Sequence, residues 1–134
     1  MAIQHRLPIT LLLLRLSVFL VMLMWTIDKF INPGHAAGVY AKFYFLGGLG
    51  PSVMYLVGVV ELVLIIGFVL GVQKPVTYGA VLALHGISTL SAFRQYVAPF
   101  DGPNLLFFAA WPALAACYAL YVLRDHDTQW VVHS

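Results

Sequence analysis

Residues 7 to 31 read LPITLLLLRLSVFLVMLMWTIDKFI, and the only charge before Asp28 and Lys29 is Arg15. At ~1.5 Å of rise per helical residue, ~20 predominantly apolar residues cross the ~30 Å hydrocarbon core of a bilayer. This run is long enough to do so. It also exceeds the ~7–15 apolar residues of a signal peptide, and no small-x-small cleavage site follows Asp28-Lys29, so the segment is expected to be retained as a span.

Working outward, three more apolar runs have similar length: Ser52 to Gly71, Val76 to Val97 and Asn104 to Leu123. The pattern predicts an all-α fold, a four-transmembrane-helix bundle over about 7–31, 52–71, 76–97 and 104–123. Residues 1–134 then form a single integral membrane domain. Composition agrees: 62% of residues are hydrophobic and 9% charged, whereas an average soluble domain carries roughly 25% charge. Little chain is left for a soluble catalytic domain, so any water-soluble chemistry is expected to need larger membrane or membrane-associated partner subunits. A net charge of +2, dispersed along the chain, gives no reason to expect nucleic acid.

Four spans put both termini on one side. Arg6, Lys74 and Arg124 fall there, Lys29 and Lys42 fall opposite, and Arg94 lies near the opposite edge. This distribution slightly favours cytoplasmic termini, and a bacterial inner membrane is the expected location.

The connection from Asn32 to Pro51 opens with Asn-Pro-Gly and closes with Gly-Gly-Leu-Gly-Pro, so it has breakers at both ends. Between them Tyr40, Phe43, Tyr44 and Phe45 surround Lys42, which predicts a short interfacial helix between helices 1 and 2. It would serve as an anchor or as a lid over an intramembrane cavity. The second loop is so short that helices 2 and 3 must be antiparallel neighbours. Gly67 with Gly71, Ala109 with Ala113 and Ala115 with Ala119 are small-residue pairs suited to close intrachain packing, and Pro112 is expected to kink helix 4. The Arg124-Asp125-His126-Asp127 segment reads as a hydrated end too sparse to be a metal site.

The chemistry-bearing residues are few. Cys117 is the single cysteine, which rules out an intrachain disulfide and favours a packing role. With helix ends near residues 7, 71 and 76, Arg15, Glu61 and His85 lie ~12, ~15 and ~13 Å from one face. The expectation is a shared intramembrane polar site, in which Arg15 and Glu61 pair across helices 1 and 2. A structural pairing is favoured over catalysis. His85 is the only histidine within a span, so a haem with two axial histidines is not expected. His85 can instead donate to a quinone carbonyl or move a proton, with Ser88, Thr89 and Ala92 on its face of the helix. A second polar cluster, Asp28, Lys29 and Arg94, lies near the opposite face, where an Asp28 to Arg94 bridge fits the helix lengths.

Several of these pieces resemble the DoxX family of small four-helix membrane proteins, from Leu14 to about Leu123. They are Arg15-Leu16, Lys29-Phe30, the loop leading to Gly-x-Gly-Pro, and Gly58-x-x-Glu61 followed by Gly67 and Gly71. The chain departs from the family pattern at Thr26 and Asp28, near where a glycine is common, and in ending helix 4 with Arg124-Asp125-His126 rather than a glycine-rich tail. The resemblance implies a membrane subunit of a redox assembly, thiosulfate:quinone oxidoreductase being the best-known association.

Together the residues and the resemblance lead to an expected function. It is that of a non-autonomous, membrane-anchoring subunit of a respiratory or other redox complex, with a quinone-facing surface as a further expectation. The alternatives are a purely structural or assembly subunit and, ranked last, a small transporter.

Overall fold

The inward stripe of the first helix organises the molecule. In the computed structural model, which describes residues 3–43, 47–48 and 50–132, α1 runs Ile3–Ile31. It buries Leu11, Arg15, Val18, Met22, Thr26 and Lys29. These recur every three or four residues, the spacing of one helical face. Its other faces leave Ile9, Leu13, Leu20, Met24 and Ile31 exposed, as lipid contact requires.

The remaining elements are α2 (Pro33–Phe43), α3 (Pro51–Leu70), α4 (Lys74–Ser91), the single turn α5 (Phe93–Tyr96) and α6 (Ala110–Val122). Gly102–Ala109 forms a 3-10 helix leading into α6, and Arg124–His126 a 3-10 turn leaving it. Among the described residues there is no strand. α1 packs against α3, α3 against α4, α4 against α6 and α6 back against α1, closing a ring. Leu11, Val18, Met22, Ile65, Phe68, Tyr78, Val81, Cys117 and Leu120 form its core.

Among the described residues, three helices are long and apolar enough to cross a membrane: His5–Ile31, Ser52–Leu70 and Gly102–Val122. α4, expected as the third of four spans, is not among them. It is shorter, and its inward stripe includes Thr77, Tyr78, His85 and Thr89. The helix expected over 76–97 also breaks at Ala92 before the turn of α5. A short helix, α2, lies where the interfacial helix was expected, packed against α1 and α3, while Tyr44, Phe45 and Leu46 lie outside the described residues.

Local chemistry accounts for the joints. α3 ends in a Schellman turn, with Gly71 N donating to the Phe68 carbonyl at 3.1 Å and Val72 N to the Gly67 carbonyl at 2.9 Å. Gly71 has φ +72°, and a Cβ there would meet Val131 at 2.6 Å, so only glycine suits the position. Gly58 serves a different purpose. A Cβ on it would lie 2.8 Å from the Phe30 ring, so glycine lets α1 approach α3. Pro112 lies in the first turn of α6, where a missing amide hydrogen costs little, and the chain before it winds as a 3-10 helix.

Candidate functional site

Two polar clusters sit on the inward stripe of α1, one around Arg15 and one around Lys29. Fourteen residues of helix place them about 21 Å apart along the axis.

Around Arg15, the C-terminal segment folds back across the end of the bundle. Arg15 Nη1 donates to Asp127 Oδ1 at 2.5 Å, and both side chains have no solvent exposure. Tyr78 Oη donates to the other carboxylate oxygen, Oδ2, at 2.5 Å. Arg15 Nη2 donates to the carbonyls of Gln129 and Trp130. Lys74 Nζ donates to the carbonyls of Asp127 at 2.6 Å and Arg124 at 3.0 Å. The segment is stitched to α3 as well, through Val132 N to the Leu70 carbonyl at 2.7 Å. An arginine in an apolar interior needs a counter-charge and acceptors for its donors, and this strap supplies both.

Around Lys29 the arrangement is looser. Its Nζ lies 2.7 Å from Glu61 Oε1 and 5.6 Å from the centre of the Tyr40 ring on α2. The pair borders a cleft of about 610 Å³ between α1, α2, α4 and the 3-10 segment. Apolar walls come from Val21, Met22, Leu84, Ile87, Leu106 and the alanines 109, 110 and 113, with Trp25 and Phe107 beside them. Its polar lining includes His85, Ser88, Thr89 and Tyr96. His85 is only 8% exposed, yet its Nε2 has no hydrogen-bond partner, and neither does the buried Tyr96 Oη. A neighbouring hollow of about 630 Å³, which includes His35 and Lys42, shares Trp25, Val39, Leu106 and Phe107 with the cleft.

The structure does not form the single site expected from depth counting. Arg15 pairs with Asp127, Glu61 pairs with Lys29, and His85 joins the Lys29–Glu61 side. Depth counting assumed that helix ends align. α1 has 29 residues and α3 only 20, and the Phe30–Gly58 and Lys29–Glu61 contacts fix their relative shift. Following α1 back from those contacts places Arg15 beside the α3–α4 turn rather than beside Glu61.

The other expected cluster also divides. Lys29 turns inward to Glu61, while Asp28 meets His35 at 2.7 Å, and the His35 ring stacks on Trp25. Arg94 lies on α5 with its guanidinium 5.8 Å from the Phe93 ring. The supposedly hydrated tail acid Asp127 is fully buried. Ala109 and Ala113, expected to pack helices together, line the cleft instead.

Sequence reasoning missed Asp127 and Tyr78 as polar partners, and Tyr96 as part of the cleft lining. A signal for Asp127 was present: the chain has five acidic residues for two cations on the inward stripe, and two of the five lie in Arg124-Asp125-His126-Asp127. Tyr96 is held by rings, with centroids 5.2 Å from Phe108 and 5.4 Å from Trp111, a long-range arrangement that spacing cannot show. Cys117 is buried in the core. Among the described residues, no three His, Cys, Asp or Glu side chains are grouped to hold a metal ion.

No family model, curated protein or solved structure matches this chain.

Proposed function

We propose that this chain is an integral membrane subunit that anchors a larger redox assembly and presents a quinone-facing cleft to it. The observation that carries this reading is the unpartnered His85 Nε2 in a largely apolar cleft. A buried polar atom without a partner costs about 1–3 kcal/mol, a cost that a bound ligand with a matching atom removes. Lys29 and Glu61 balance each other in charge, so the site favours a neutral ligand over an ion. The volume, about 610 Å³, falls within the ~300–1,000 Å³ of small-molecule sites. Quinones are neutral, flat and membrane-soluble, and carry carbonyls that accept hydrogen bonds.

In this reading α4 is the fourth span, shielded by its neighbours in the ring, and both termini lie on the cytoplasmic face of a bacterial inner membrane. Electrons come from a partner subunit, and this chain supplies hydrogen bonds and a protonatable imidazole. The resemblance to the DoxX family points in the same direction.

Purification in mild detergent is expected to bring down larger subunits, and His85→Ala is expected to lower quinone reduction without lowering the abundance of the complex. A lone monodisperse protein, with quinone reduction unchanged on deletion of the chain, would overturn the reading. The two buried ion pairs favour a second possibility, a purely structural assembly subunit. Under that reading Glu61→Gln and His85→Ala reduce the amount of complex and leave turnover per complex unchanged.

A further inference from the structure

We infer that the cleft reads the two ends of a single para-quinone ring, one carbonyl with His85 Nε2 and the opposite one with Tyr96 Oη. This rests on the quinone reading above and adds the second contact to it. Both atoms are buried without partners, and both residues line the same cleft.

The spacing suits that ligand. Two carbonyls of ~1.2 Å on opposite sides of a six-membered ring, each with a hydrogen bond of ~2.8 Å, need protein partners on the order of 10 Å apart. α4 and α6 run antiparallel, with the Tyr121 ring against Gly79 and a Leu114 methyl against Gly86. Tyr96 packs on Trp111 and Phe108, so its ring leans back to a level between three and six residues beyond Gly86. That is roughly 4–9 Å along the axis at helical rise. A separation on the order of 10 Å between the two polar atoms is thus within reach of the two side chains.

Each group can play its part. The Tyr96 hydroxyl donates, and its ring is already fixed by two aromatic neighbours, so little freedom is lost when a ligand binds. Neutral imidazole donates from Nε2 when the proton sits there. On the quinol form the roles reverse, since a phenolic oxygen donates to an unprotonated Nε2 and tyrosine also accepts.

The test uses the full chain in lipid nanodiscs, with short-chain ubiquinone as the probe and quenching of tryptophan fluorescence as the readout, Trp25 being part of the cleft. Tyr96→Phe keeps the ring packing and removes only the hydroxyl. It is expected to weaken binding about fivefold to tenfold, the effect of one neutral hydrogen bond. His85→Gln and His85→Ala should weaken it comparably, with melting temperature recorded to separate binding loss from unfolding. An analogue ring with a single carbonyl should respond to only one of the two positions. Unaltered ubiquinone binding by Tyr96→Phe, with loss in the His85 variants, overturns this inference and leaves the quinone reading standing. Absence of quinone binding by the wild-type chain overturns both.

Discussion

Arg15 and Lys29 lie on the same stripe of α1, yet their surroundings are treated differently. Arg15 meets a carboxylate and two carbonyls, Asp127 is also held by Tyr78, and Lys74 ties down the carbonyls of the same strap. Of the side-chain atoms in that cluster, only Arg15 Nε is buried without a partner. Around Lys29 the ion pair borders open volume, and His85 and Tyr96, which line it, each carry a buried polar atom without a partner. A nearly satisfied buried network rigidifies a fold, whereas buried groups left unsatisfied beside a cleft call for a ligand. On the proposed reading, the difference gives a structural role to one pole and a binding role to the other.

The largest effect that sharpens this contrast is expected at the strap. Asp127→Ala leaves a fully buried guanidinium without a counter-charge and should destabilise the protein by about 3–5 kcal/mol in reversible unfolding from detergent micelles. Replacing both partners, Arg15→Met with Asp127→Leu, should recover most of that loss, because matched apolar groups carry no desolvation cost. A milder result is expected at the other ion pair, which borders the cleft. Glu61→Gln should cost about 2 kcal/mol, since this pair, unlike Arg15 and Asp127, keeps some exposure.

Tyr78→Phe removes one hydrogen bond to a charged acceptor and should cost about 1.5–3 kcal/mol, with unfolding again the check. The smallest stability effect belongs to His85. Truncation to alanine removes a group whose Nε2 makes no hydrogen bond, so stability should change by less than about 1 kcal/mol while quinone binding falls. A large loss of stability in that variant would erase the distinction between the poles.

Much of the architecture was legible because hydropathy reports burial in lipid directly. The runs that became α1, α3 and the Gly102–Val122 segment are apolar on nearly every face. The breakers around α2 also marked its position well. α4 was harder: its inward polar stripe lowers its hydropathy, and Ala92, where it breaks, is neither glycine nor proline. The candidate site was only half legible. Arg15, Glu61 and His85 were recognisable as costly in lipid and Lys29 as a polar helix end, but their partners depend on how far α1 slides along α3. That shift is set by contacts such as Phe30 against Gly58, which leave no periodic trace in the chain. Asp127 was read as hydrated because it follows the last apolar run, and a strap that folds back into the bundle breaks that rule.

The contrast between the poles is tested most directly by the rise in melting temperature that saturating short-chain ubiquinone gives to the wild type, Asp127→Ala and His85→Ala in nanodiscs. A ligand that binds only the folded state stabilises it by an amount set by its concentration relative to Kd. The account predicts a similar ligand-induced rise in the wild type and in Asp127→Ala, whose starting point is far lower, and a smaller rise in His85→Ala, reduced by the equivalent of about 1 kcal/mol for its fivefold to tenfold weaker binding. A rise that is undiminished in His85→Ala and vanishes in Asp127→Ala would contradict it.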